Sequence, residues 1–188
     1  WICRSLKVNE ANSKNGFIVV DKEPGWTSHD VVARTRKKLN TRKVGHSGTL
    51  DPPATGVLIL GVGRATRLLK YITDLPKRYT ATMVLGTETT TLDAEGDITN
   101  VQDIHGTCLK DLQESSTRFM GEILQTPPMV SAVKVDGKRL YEIAREGREV
   151  ERKPRLIQIY ELSIEETSKK DVYRIHVACG SGTYIRSL

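Results

Sequence analysis

Val44-Gly45-His46-Ser47-Gly48-Thr49-Leu50-Asp51-Pro52 is the stretch from which the rest of the chain can be read. Two glycines bracket a histidine and a serine, and a lone carboxylate follows, pinned by Pro52 and Pro53. A backbone punctuated in this way makes tight turns and approaches a ligand closely, so the stretch reads as a loop. Immediately upstream, Arg34, Arg36, Lys37, Lys38, Arg42 and Lys43 supply six positive charges with no acidic residue among them. An acid is thus held beside a surface that attracts phosphate, where it would repel nucleic acid unless it had chemical work to do.

Strand and helix patterns flank this stretch on both sides. Phe17-Ile18-Val19-Val20, bounded by Gly16 and Asp21-Lys22-Glu23-Pro24-Gly25, predicts a buried strand entering a turn. Thr27-Ser28-His29-Asp30 offers N-caps for a helix over Val31 to Leu39. After Pro53, Val57 to Val62 is an apolar run that predicts a core strand, and Leu68, Leu69 and Ile72 mark a helix over 65–73. Tyr79 to Leu85 alternates as a strand, with Tyr79, Ala81, Met83 and Leu85 on its more apolar face. The acidic segment Thr87 to Asp97 reads as a solvated loop. Asp93, Glu95 and Asp97 lack the spacing and the twelfth-position ligand of a calcium loop.

Leu109, Leu112 and Phe119 predict an amphipathic helix over 108–120. From Lys134 to Arg155 eight basic residues stand against five acids, with a short helix at Leu140, Ile143 and Ala144; this reads as an excursion able to lie along a phosphate backbone. Leu156 to Ile164 and Val172 to Cys179 are two further strands, and Tyr184 and Arg186 fall in the first turn of a final helix. The expected fold class is α+β: a mixed, mainly antiparallel sheet with flanking helices and a central cleft.

Composition narrows the function. Lysine and arginine number 29 against 23 acidic residues, a net charge of +6 that favours a polyanionic partner. Cys3, Cys108 and Cys179 are odd in number and far apart, and the four histidines lack ligand spacing, so neither a disulfide framework nor a metal site is indicated. The expected compartment is reducing and cytoplasmic. No apolar stretch approaches membrane-spanning length. The chain opens on Trp1 and stops at Leu188, which raises the expectation of a piece of a longer protein.

Four separated stretches then coincide in order. Gly45-His46-Ser47-Gly48-Thr49-Leu50-Asp51-Pro52, Lys77-Arg78-Tyr79, Ser131-Ala132-Val133-Lys134 through Gly137-Lys138-Arg139-Leu140-Tyr141-Glu142, and Gly182-Thr183-Tyr184-Ile185-Arg186 together resemble the TruB family of pseudouridine synthases. Asp21-Lys22-Glu23-Pro24-Gly25 and Thr27-Ser28-His29-Asp30 extend the likeness, which covers residues 16–188.

The resemblance implies a pseudouridine synthase catalytic domain over 16–188, after an N-terminal tail over 1–15. A basic RNA-gripping insertion would lie at about 125–153, and the family's C-terminal RNA-binding domain would be absent from this chain. It implies conversion of uridine to pseudouridine in the T loop of transfer RNA, at position 55, without metal or organic cofactor. No membrane and no obligatory protein partner would be involved, and the chain would act as a monomer. Asp51 would be the essential acid, as nucleophile at ribose C1′ or base at C2′, and Arg186 its cationic partner. Tyr79 would stack on the extruded base, Tyr184 would line the pocket, and His46 would help displace the base. Lys22 and Lys134 complete the implied substrate-binding set.

Two other readings compete. A hydrolase using Ser47 and His46 is disfavoured because Gly-His-Ser-Gly is not a Gly-x-Ser-x-Gly elbow and sequence neighbours do not make triad geometry. A non-catalytic RNA-binding module fits charge and aromatics alone, and it leaves Asp51 without a task. Ser47→Ala separates the first competitor from the family reading: a hydrolase loses its turnover, whereas uridine conversion measured on a T-arm RNA survives.

Overall fold

The computed structural model describes residues 14–188 apart from Ala132 and Asp136, and leaves the side chains of Lys134 and Arg145 undescribed. Residues 1–13 of the expected N-terminal tail therefore lie outside the described residues. The chain divides into two compact units, 1–75 and 76–188.

The first unit is a three-stranded antiparallel sheet in the order β1-β3-β2, from β1 (Gly16–Lys22), β2 (Val44–His46) and β3 (Gly56–Val62). Alternation along β1 turns Ile18 and Val20 inward, where they join Val32, Val44, Leu58, Leu60 and Val62 in one core. Helix α1 (Ser28–Leu39) contributes Val32 to that core. Its start is set by a capping box in which the Thr27 side chain accepts from the Asp30 N–H and the Asp30 carboxylate accepts from the Thr27 N–H. Asn40, in left-handed geometry, ends it.

Two features differ from the sequence expectation. The stretch 44–52 is not all loop, because Val44 is buried and its strand pairs with β3. The helix expected over 65–73 is a tighter 3-10 turn at Gly63–Leu68 followed by α2 (Leu69–Thr73). Leu69 sits on the paired glycines Gly45 and Gly61; a Cβ on Gly61 would come within 2.9 Å of the Leu69 side chain, so only glycine permits this approach.

The second unit is a four-stranded antiparallel sheet in the order β4-β11-β10-β7. Its strands are β4 (Lys77–Val84), β7 (Gly121–Gln125), β10 (Arg155–Glu166) and β11 (Val172–Cys179). One face buries Ile157, Ile159, Val177 and Cys179, with Tyr79, Ile175, Ile185 and Leu188 packed against them. Helix α3 (Leu109–Ser116) lies against β10. Two small hairpins complete the unit. One joins β5 (Thr87–Thr89) to β6 (Ile98–Val101), and the other joins β8 (Lys134–Val135) to β9 (Lys138–Arg139), leading into α4 (Leu140–Arg145).

Every described strand pairing is antiparallel, so the mixed sheet expected from sequence becomes antiparallel in each unit. No helix among the described residues is long and apolar enough to cross a membrane.

Candidate active site

In the first unit the backbone on either side of Asp51 is tied down. Ser28, buried at the start of α1, accepts the Leu50 N–H at 2.9 Å and donates to the Leu50 carbonyl at 3.3 Å. The Pro52 carbonyl accepts the Gly25 N–H at 2.8 Å and the Lys22 ammonium at 3.1 Å. Gly25 has φ +80, a left-handed turn geometry that glycine adopts without strain. The Asp51 carbonyl in turn accepts the Ala54 N–H at 3.0 Å, closing a turn over the two prolines. The Asp51 side chain itself is half-buried.

Lys22 ends β1 on its inward parity and is 1% exposed. Its ammonium donates to the carbonyls of Trp26 at 2.7 Å, Glu23 at 3.0 Å and Pro52 at 3.1 Å, which uses all three of its N–H groups. Burial pushes its pKa down, and the Asp51 carboxylate pushes it back up. The implied substrate-binding Lys22 thus spends its donors on the turn that carries Asp51, and it provides the nearby positive charge for that carboxylate.

His46, at the end of β2, donates Nδ1–H to the Gly48 carbonyl at 2.6 Å, since a carbonyl can only accept. Burial holds its pKa below the ordinary value, with His29 adding to the effect and the Gly48 bond opposing it. The neutral ring therefore presents Nε2 as an acceptor. Ser47, the hydrolase candidate, is buried, and its N–H is bonded to the Ile59 carbonyl.

The second unit holds the remaining candidates. Tyr79 on β4 lies opposite Val177 and packs on the apolar face of the sheet. Tyr184 is positioned through its backbone by buried Gln125, whose amide accepts the Tyr184 N–H at 2.8 Å and donates to the Tyr184 carbonyl at 2.9 Å. Arg186 donates to the carbonyls of Thr91 and Val130, each at 3.0 Å, and its Nε lies 3.8 Å from the Asp93 carboxylate. The acidic segment is largely exposed, as expected of a solvated loop, and Asp93 alone among its three alternate acids is half-buried and faces Arg186. Asp93 also accepts from the Thr91 hydroxyl at 2.5 Å and the Glu95 N–H at 3.1 Å, and this turn connects β5 to β6. The Lys134 side chain lies outside the described residues.

Ser28, Gln125 and Asp93 are positioning residues that the sequence reading passed over. Ser28 showed only as a cap candidate and Asp93 only as part of an acidic run; Gln125 carried no signal beyond its place before Thr126-Pro127.

A family model described as TruB family pseudouridylate synthase (N terminal domain) matches residues 36–185. The chain belongs to the TruB family. The span matched to the TruB model contains His46, Asp51, Tyr79, Lys134 and Tyr184, while Lys22 precedes it and Arg186 falls just beyond its end. The chain is 47% identical over 175 residues to tRNA pseudouridine synthase B of Trichormus variabilis and 48% identical over 179 residues to that of Listeria monocytogenes. These matches cover 92% and 93% of this chain but 59% of each relative, so the chain spans about three fifths of the length of the curated relatives it matches. Among solved structures, a chain of a Cbf5-Nop10-Gar1 complex superposes with a TM-score of 0.65 at 32% identity, over 92% of this chain and 41% of that one. A chain of an H/ACA RNP bound to a substrate RNA containing 2′-deoxyuridine gives 0.63 at 28% identity, over 92% and 40%. The fold of this TruB chain is the pseudouridine synthase fold.

Two measurements test the bracing of Asp51. Lys22→Met removes the donor shared by three carbonyls, of which Pro52 keeps its bond from Gly25; at about 1–3 kcal/mol for a buried group left unmet, chemical denaturation gives a loss on the order of 2 kcal/mol. The depressed pKa of His46 stabilises the fold above its ordinary value of 6.5, and this contribution is lost as pH falls through the folded-state value. Denaturation midpoints therefore drop below about pH 6.5, and His46→Gln, which keeps a donor for the Gly48 carbonyl, flattens that drop.

Proposed function

We propose that this chain carries out the isomerisation of the T-loop uridine of transfer RNA, position 55, to pseudouridine. The observation that carries the reading is Asp51: a half-buried carboxylate on a turn braced at Leu50 by Ser28 and at Pro52 by Gly25 and Lys22. A carboxylate that must meet one ribose carbon needs this kind of fixed backbone, since reacting groups misplaced by about 1 Å lose much of the rate.

The reaction breaks the bond from ribose C1′ to base N1 and forms one from C1′ to C5, and the C5 proton departs as N1 gains one. Substrate and product contain the same atoms, so no co-substrate is consumed. Asp51 acts as nucleophile at C1′ or as base at C2′, and both roles require it ionised beside the positive charge of Lys22. Arg186 is its second counter-charge by the family likeness. His46, neutral and with Nε2 as acceptor, occupies the space that the extruded base vacates. Tyr79 stacks on the flipped uracil, which offsets an unstacking cost of roughly a few kcal/mol, and Tyr184 lines the pocket.

Lys134 and the basic segment over 125–153 grip phosphates, which positions the RNA without reading its sequence. The enzyme acts as a monomer in the cytoplasm, on tRNA, without an obligatory protein partner.

The test is conversion of uridine to pseudouridine in a T-arm stem-loop by the parent chain and by Asp51→Asn, with RNA affinity measured alongside. Conversion by the parent and a loss exceeding a thousandfold in the variant, at unchanged affinity, is the expected outcome. Binding by both with conversion by neither favours the RNA-binding module instead.

A further inference from the structure

Trp26 occupies the turn between β1 and α1, and the proposed chemistry gives its side chain no role. Its backbone belongs to the bracing of the site: the Trp26 carbonyl and the Pro52 carbonyl accept from the same Lys22 ammonium, at 2.7 and 3.1 Å, and the adjacent Gly25 N–H donates to Pro52. Trp26 is therefore anchored within a few ångströms of the backbone that carries Asp51, on a turn that cannot drift away from it. The indole is half-buried, leaving part of its surface in solvent. The guanidinium of Arg34, from the solvent side of α1, lies over the ring at 5.3 Å from its centroid. Lys37 and Lys38 follow on the same exposed helix.

An aromatic ring fixed by an arginine and flanked by cations has the composition of a platform for a single-stranded nucleotide. The ring takes the face of the base by stacking and the guanidinium meets its phosphate. A loop that surrenders one base to an active site also exposes the faces of the neighbouring bases, which need a new stacking partner. We infer that Trp26 and Arg34 form a second nucleotide site, which stacks a base adjacent to the target uridine while Asp51 engages the target itself. This rests on the RNA-modifying reading proposed above, since it takes the same RNA as ligand. The site holds the loop open and in register, and its contribution lies in binding and orientation.

The test uses Trp1→Phe, which leaves Trp26 as the only one of the chain's two tryptophans, and a T-arm stem-loop RNA as probe. RNA is expected to quench Trp26 emission, and an abasic nucleotide on one side of the target uridine is expected to abolish the quenching. That same abasic RNA should bind roughly 5- to 150-fold more weakly than the intact one, the equivalent of one lost stacked base. Trp26→Ala should weaken intact RNA by a similar factor and abasic RNA little further, whereas Trp26→Phe stays within a fewfold of the parent.

Emission unmoved by saturating RNA overturns the inference. So does an alanine variant that weakens intact and abasic RNAs equally, which is what a ring that only packs against α1 would give. Should Trp26→Ala fail to fold, the emission of the Trp1→Phe protein decides alone. Conversion of uridine by the parent with silent emission sinks this inference and leaves the activity standing; base-dependent quenching without conversion does the reverse.

Discussion

The ammonium of Lys22 closes the turn on which the rest of the first unit's site depends. Sequence parity explains why it is there: β1 alternates, Ile18 and Val20 face the core, and Lys22 is the next inward position. A buried charge is costly unless its hydrogen-bonding capacity is met, and three carbonyls from three separate points of the chain meet it. Because those carbonyls belong to Glu23, Trp26 and Pro52, one cation joins the end of a strand, the entry to α1 and the residue after Asp51. Ser28 adds a reciprocal pair of bonds to Leu50 from the first turn of the same helix. The carboxylate is thus suspended between two anchored neighbours.

The second unit achieves the same end with different groups. Gln125 holds Tyr184 through a donor and an acceptor on one amide, which fixes the backbone without placing a charge in the interior. Arg186 is held by two carbonyls and faced by Asp93, so its planar fork is pre-oriented. In both units the residues with implied chemistry stand on turns, while the antiparallel ladders supply the rigid frame. The basic character of the chain is also not uniform in purpose. Arg36, one of the six cations ahead of the site, donates to the Val44 carbonyl at 2.8 Å and so ties α1 to the edge strand β2.

Much of the fold was legible because its strands alternate and α1 announces itself with a capping box. The expected strands at 17–20, 79–85, 156–164 and 172–179 appear with small shifts of boundary, and α1 begins where Thr27 and Asp30 allow. The final helix expected to carry Tyr184 and Arg186 is a turn, and at two other misjudged places contacts across the chain overrode local signals. Val44 to His46 reads as loop because of its glycines, yet Gly45 opposite Gly61 is what lets Leu69 pack there. Asp93 reads as one of several solvated acids because nothing local marks a contact with a residue 93 positions later.

From the order of its residues alone, this chain declares its family likeness, its α+β class and a short set of chemically apt side chains, because motif spacing and periodicity are properties of the chain itself. Tertiary structure decided which of those side chains spend their polar groups on the protein: Lys22 on three carbonyls, His46 on Gly48, Arg186 on Thr91 and Val130. Pro52 lies 30 positions from Lys22 and Thr91 lies 95 from Arg186, and only the folded backbone brings such distant carbonyls within 3 Å or so of a donor.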